Sequence, residues 1–108
     1  MTPNEAQDLI LTESREGIAY TSRMGDYGTP ERFRQLIEAI HALQKEWRGR
    51  AEVNREIFAA LFVLGDQVNG NAYGAVSKGL NSPEWLWKEE GLALLSEALY
   101  GIFDDHDT

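Results

Sequence analysis

The residues of this chain with the clearest potential for chemistry are three glutamates and a histidine near the middle of the sequence. Glu38 and His41 have the Glu-x-x-His spacing, which places ligands on one helix face in four-helix di-metal proteins. Glu52 and Glu56 have the i,i+4 spacing, so all four side chains could be ligands of one divalent metal. The Glu-x-x-His motif occurs once, so a chance match competes with a metal site.

A second candidate metal site lies at the end of the chain, in the sequence Asp104-Asp105-His106-Asp107. Carboxylates and imidazole bind divalent metals, but a chain end provides no rigid frame for them. We therefore predict that residues 104–108 are disordered and bind metal only adventitiously. The chain has no cysteine, which excludes disulfides, thiolate nucleophiles and cysteine-bound zinc. We predict no catalytic residue, no cofactor and no specific metal site.

An arginine group, Arg48, Arg50 and Arg55, could hold an anion near a helix N-terminus, where backbone N–H groups are available. Ion pairs with neighbouring glutamates explain the same arginines, and both interpretations stay open. The glycine-rich stretch at 65–79 lacks the residue order of a phosphate-binding loop.

Charge is unevenly distributed along the chain. The net charge is −8, and residues 56–108 alone carry nine acids and two bases. An acidic surface repels phosphate backbones, so we expect no binding to nucleic acid, and it favours a basic partner. The N-terminus has no basic and apolar signal pattern, and the longest apolar run, 57–64, is far shorter than the roughly 20 residues that span a bilayer. We therefore predict a cytoplasmic protein without membrane contact.

Three proline dipeptides predict where helices begin: Thr2-Pro3, Thr29-Pro30 and Ser82-Pro83. Each places a hydroxyl side chain at the N-cap and proline at the first helical position, where its missing N–H costs nothing. A glutamate follows in the first turn, which suits the positive end of the helix dipole. With a further helix in the middle, the predicted helices cover about 3–14, 30–48, 51–68 and 83–103. Loops or turns cover 15–28 and 69–81, and the second of these segments could contain a short helical turn at about 72–78.

Apolar residues recur at spacings of three and four within these helices, and no segment alternates with the period of a strand. The clearest stripe consists of Phe33, Leu36, Ile37, Ile40, Leu43 and Trp47. We predict an all-α single domain over 1–108: a small antiparallel or orthogonal bundle of four main helices, with a glycine-rich connection before the last.

Two of the predicted helices carry more apolar residues than one core-facing stripe requires. Phe58 and Phe62 lie opposite the inner face of the third helix. In the fourth helix the inner face ends with Phe103, and a second stripe beside it consists of Trp87, Gly91, Leu94 and Ala98. Either the third helix is the buried centre of the bundle, or these side chains contact a second chain. Contact between two copies around a two-fold axis is the commonest arrangement.

These patterns predict a small acidic protein-interaction module that forms a homodimer, with Phe58, Phe62, Trp87 and Leu94 as partner-binding residues. An inhibitor or immunity-type protein that binds a basic partner is one concrete form of this function. The alternative is a small metal-dependent enzyme or a ligand-binding helical bundle. No nucleophile has a general base at a recognisable spacing, which favours binding over catalysis.

Overall fold

A computed structural model describes residues 1–50 and 52–103. The helices are α1 (Pro3–Arg15), α2 (Ile18–Thr21), α3 (Pro30–Trp47), α4 (Arg55–Ser77), α5 (Glu84–Trp87) and α6 (Gly91–Phe103), with a 3₁₀ turn at Ser22–Met24. No strand occurs in this described part of the chain, and the predicted all-α fold class is confirmed. The predictions made for residues 104–108, and for a helix start at Ala51, fall on residues outside the described ranges.

Two of the three predicted helix starts have the expected caps. The Thr2 hydroxyl accepts from the Glu5 backbone N–H at 3.2 Å, and the Thr2 N–H donates to Glu5 Oε1 at 3.0 Å. This second bond is the main reason that the pKa of Glu5 lies below its ordinary value of 4.5. At the start of α3, the Thr29 hydroxyl accepts from the Arg32 N–H at 3.1 Å. Both caps satisfy N–H groups that the first helical turn leaves unpaired.

The third predicted start is wrong in detail. The N-cap of α5 is Pro83, and the helix itself begins at Glu84 without a side-chain cap. The Ser82 hydroxyl accepts a hydrogen bond from Trp87 Nε1 at 2.6 Å and so holds the tryptophan instead of the helix end.

The last predicted helix, 83–103, is in fact two helices. Glu90 adopts a left-handed conformation with φ of 60°, and the following Gly91 begins α6. A Cβ on Gly91 would lie 3.0 Å from the Trp85 carbonyl oxygen and 3.2 Å from Leu86 Cα. The chain therefore turns back tightly against α5, and any side chain larger than that of glycine would be crowded there.

Helix α4 is longer than predicted at its C-terminal end. It continues through Gly70 and Gly74, where the sequence predicts turns, and ends at Ser77. Each glycine costs about 1 kcal/mol of intrinsic helix stability relative to alanine. The core-facing stripe runs from Val68, at the predicted end, to Ala72 beyond it, and both residues are fully buried. Tertiary packing of that stripe outweighs the low helix propensity. The predicted loop at 15–28 likewise contains α2 and the 3₁₀ turn.

The four long helices contact one another in a ring in the order α1, α3, α6, α4. Helices α3 and α4, which are consecutive in the sequence, therefore lie across a diagonal. The core between them is closed by completely buried side chains: Ile10, Leu36, Ile40, Leu43, Leu61, Leu64 and Leu95. Among the described helices, none has the length and apolar character needed to cross a membrane.

An ion pair between a buried glutamate and a half-exposed arginine joins α1 to α3. Glu13 is only 2% exposed, and Arg32 donates to its two carboxylate oxygens at 2.8 and 3.1 Å. The Ile18 backbone N–H also points to this carboxylate, at 3.4 Å. A Cβ on Gly17 would lie 1.8 Å from Glu13 Oε1, so the turn between α1 and α2 requires glycine at that position. The local chain is folded around one carboxylate.

Replacing Arg32 with alanine should lower the free energy of unfolding by about 2–3 kcal/mol, because Glu13 would stay buried without its countercharge. Arg15→Ala is the matched control, since the Arg15–Glu56 ion pair is exposed on both sides and should contribute less than about 1 kcal/mol. Urea denaturation of both variants measures the difference. Equal losses would show that Glu13 does not depend on Arg32.

Replacing Gly91 with alanine should lower the free energy of unfolding by about 1–3 kcal/mol, because the added methyl group overlaps the α5 backbone. Gly70→Ala should instead raise it by up to about 1 kcal/mol, since no atom lies within 4 Å of that Cβ position and alanine is the better helix former. Thermal unfolding of the two variants checks the opposite signs. A stabilising Gly91→Ala substitution would mean that α5 and α6 can join into one helix.

Candidate functional site

The candidate site is built on the face of α4 that points away from the core. Phe62 lies at the middle of this face and is 63% exposed. Arg55, Ala59, Phe62 and Asp66 follow one another at spacings of four, three and four residues, which places them on one helical stripe. We call these four residues the outer stripe of α4. All four are exposed, and the stripe lies opposite the buried Leu61, Leu64 and Val68.

An aromatic edge lies beside the outer stripe. Phe58 packs edge-to-face against Phe103 of α6, with ring centroids 5.1 Å apart, and both rings keep large exposed surfaces. Phe58 is also one helical turn before Phe62, so the three rings lie close together on the surface. In the middle of α4, Gly65 allows α6 to approach closely, because a Cβ there would lie 2.9 Å from Leu99. These contacts make α6 antiparallel to α4.

The outer stripe carries opposite charges at its two ends. Arg55 at the start of α4 forms no ion pair within the described part of the chain. Asp66 accepts only a long hydrogen bond, at 3.4 Å, from the neighbouring Gln67. Both charges are therefore available to a contacting molecule. Two apolar side chains between two opposite charges make a surface that can recognise another protein.

The exposure of Phe58 and Phe62 rules out one of the two interpretations of the third predicted helix. A central helix buried on all sides would cover both rings, yet they are 42% and 63% exposed. Helix α4 packs on α1, α2 and α6 and leaves its outer stripe uncovered. The structure therefore brings together two of the four predicted partner-binding residues on one open surface.

Trp87 does not join this surface. It lies on α5, where it is half-buried and packs edge-to-face against Tyr73 at a centroid distance of 5.2 Å. Its Nε1 donates to the Ser82 hydroxyl. The indole thus ties α5 to the C-terminal half of α4. Its predicted place on a common stripe with Gly91, Leu94 and Ala98 is wrong, because the helix breaks between them.

Leu94 is also separate from the aromatic edge. It is exposed on α6, but nine residues separate it from Phe103, which places the two side chains on opposite sides of the helix. Gly91 and Ala98, its predicted stripe neighbours, are buried. A partner-binding role for Leu94 stays a prediction for a different surface.

Sequence reasoning missed the charges of the outer stripe and the exposure of Phe103 and Tyr73. Arg55 was assigned to a possible anion site, and Phe103 to the inner face of the last helix. Tyr73 falls in the segment predicted as turns with at most a short helical turn, so the sequence did not indicate that it belongs to α4. The signal that could have found the stripe is the spacing of Arg55, Phe62 and Asp66, which are all on one face once α4 begins at Arg55.

The predicted metal ligands are spread over the surface. Glu38 and His41 are exposed on α3, Glu52 is exposed before α4, and Glu56 binds Arg15 at 2.7 Å. Within residues 1–50 and 52–103, no three histidine, aspartate or glutamate side chains lie close enough to hold a metal ion. The metal-dependent enzyme stays an untested prediction. In the arginine group, Arg50 forms an ion pair with Glu46.

Comparison with protein-family models, curated proteins and solved structures found no match to this chain. The functional argument therefore depends on the site itself.

Replacing Phe62 with serine should leave the free energy of unfolding of the monomer within about 0.5 kcal/mol of the wild type, because the ring is exposed and the two residues have similar helix propensities. Phe58→Ser should cost about 1 kcal/mol more, since it removes the ring contact with Phe103. Urea denaturation at low protein concentration checks this. A large loss for Phe62→Ser would mean that the ring is part of the core.

Proposed function

We propose that this protein is a protein-interaction module that pairs with a second copy of itself through the outer stripe of α4. The observation that carries the proposal is the exposure of Phe62 between an unpaired arginine and an available aspartate on one helix face. Large exposed aromatic side chains on a small chain generally mark contact surfaces. Such aromatic residues also contribute much of the binding energy when a contact forms.

The outer stripe is complementary to itself in an antiparallel arrangement. When two α4 helices lie side by side in opposite directions, the register that brings Arg55 to Asp66 of the second copy also brings Phe62 to Ala59 of the second copy. The small Ala59 side chain leaves space for the ring. The two-fold axis repeats each contact, so the pair contains two ion pairs and two buried rings.

Burial of the apolar side chains contributes most of the affinity of the pair, and the charges determine how the two copies are oriented. Complete burial of a phenylalanine side chain contributes about 2 kcal/mol, and this occurs twice. An exposed ion pair contributes less than about 1 kcal/mol, but like charges in the same place oppose binding. The charges therefore select the antiparallel register over the parallel one, in which Arg55 would lie beside Arg55.

A second surface suits a basic partner, as an inhibitor or immunity-type protein of the cytoplasm would require. Glu89, Glu90 and Glu97 are exposed on the turn before α6 and on α6 itself. Charge complementarity speeds the encounter of such partners and is screened by salt. Pairing through α4 leaves these acids accessible on each copy.

Charge reversal tests the antiparallel register. Asp66→Arg and Arg55→Asp should each weaken the dimer by roughly tenfold or more, because each places like charges in contact at both ends of the pair. The double variant Arg55→Asp/Asp66→Arg should restore wild-type association, since it exchanges the two charges without changing their complementarity. Light scattering over a concentration series measures the dissociation constant of each.

Two controls separate the proposed contact from general effects of charge and apolarity. Glu97→Arg makes the same charge change on α6 and should leave association unchanged. Leu80→Ser removes a side chain that is 61% exposed, close to the value for Phe62, and should also have no effect, whereas Phe62→Ser should abolish pairing. A wild-type protein that is monomeric at all concentrations, or a double variant that fails to recover, contradicts the proposal.

A further inference from the structure

A cleft of about 510 Å³ lies between the 3₁₀ turn after α2 and the C-terminal half of α4, on another part of the molecule from the outer stripe. Gly70 and Gly74 are one turn apart on the α4 side, and no atom lies within 4 Å of either Cβ position. The helix backbone is therefore accessible along this wall. Asn71 Nδ2 donates to the buried Ser22 hydroxyl at 2.9 Å, which fixes one wall to the other. This volume is within the range of small-molecule sites.

The cleft is lined by two cations, although the chain as a whole is acidic. Arg23 and Lys78 both line it, and no aspartate or glutamate does. Neither cation forms an ion pair in the described part of the chain. In a protein with a net charge of −8, two unpaired cations in one cleft make a local site that attracts anions.

The side chain of Tyr27 is buried beside the cleft. Tyr27 lines the cleft and is 3% exposed, and its hydroxyl is buried without a hydrogen-bond partner. Such a group has lost its bonds to water without replacement, which is rare in folded proteins. Burial also raises the pKa of Tyr27 above its ordinary value of 10.0, so the hydroxyl stays a proton donor at neutral pH.

A smaller pocket of about 100 Å³ also borders Tyr27, and it differs from the cleft in the charge that its lining residues offer to an anion. Its cation, Arg32, is already paired with the buried Glu13. Of the two cavities that border Tyr27, the larger cleft is therefore the one that offers an anion unpaired cations. At the rim of that cleft, Met24 and Leu80 expose apolar surface that could cover a nonpolar part of a ligand.

We propose that this cleft binds a small phosphate monoester with an apolar substituent, with the phosphate held by Arg23 and Lys78. A phosphate monoester carries a charge of about −1.5 to −2 at neutral pH, which matches two cations. Arginine binds phosphate oxygens in pairs, and lysine adds a point charge. The site uses none of the residues of the outer stripe, so it is independent of the proposed pairing.

Calorimetric titration of the full chain with phenyl phosphate tests the proposal, with inorganic phosphate as the probe that lacks the apolar group. Phenyl phosphate should bind saturably and more tightly than inorganic phosphate. Arg23→Gln/Lys78→Gln should weaken its binding by roughly tenfold or more, because both charge-assisted contacts are lost. The control Arg34→Gln/Lys45→Gln makes the same change in net charge with two exposed residues of α3 and should retain wild-type affinity.

Tyr27→Phe is a control for changes in the wall of the cleft. The Tyr27 hydroxyl is buried, so the variant should bind phenyl phosphate with wild-type affinity. Its melting temperature without ligand should be equal to or higher than that of the wild type, since an unsatisfied buried hydroxyl has been removed. The proposal is overturned if phenyl phosphate shows no saturable binding at millimolar concentration, or if both charge variants bind equally.

Discussion

The burial of the Glu13 carboxylate is the constraint on which much of this structure depends. A charged group that is removed from water must be paired, and Arg32 supplies the countercharge from α3. The same carboxylate lies against Gly17 and the Ile18 N–H, so it also sets the turn that sends α2 along α4. The 3₁₀ turn that follows then meets α4 through the Asn71–Ser22 hydrogen bond. One ion pair thus orients α1 relative to α3 and positions one wall of the cleft.

Helix α4 takes part in both proposed functions because three parts of its surface have different surroundings. Its inner stripe is buried in the core, its N-terminal half exposes Phe62 between two charges, and its C-terminal half lines the cleft beside Gly70 and Gly74. Glycines weaken a helix, but here they leave the backbone accessible where the cleft needs space. The long buried stripe supplies the packing energy that keeps these residues helical. Pairing at one end and ligand binding at the other can therefore coexist.

Local patterns predicted the helices that are governed by local interactions. The caps at Thr2 and Thr29 and the apolar stripe of α3 occur as expected, because capping and helical periodicity act over three or four residues. The patterns failed where contacts between residues that are distant in the sequence determine where a helix ends. Gly70 and Gly74 are typical of turns in the sequence, but they are helical because α4 packs on the core. Gly91 begins a new helix because α5 lies against it. The same break separated Trp87 from Leu94, so only Phe58 and Phe62 remained together.

The sequence by itself determined the all-α class, the acidic charge and the excess of apolar residues on α4, because composition and periodicity follow directly from the order of residues. Only the tertiary structure decided which of those apolar residues stay exposed, since exposure depends on which helices cover which faces. It also decided that Tyr27 is buried without a partner and that Arg23 and Lys78 line one cleft. Arg23 and Lys78 are 55 positions apart in the chain and line the same cleft only because of tertiary packing, which no local sequence pattern predicts.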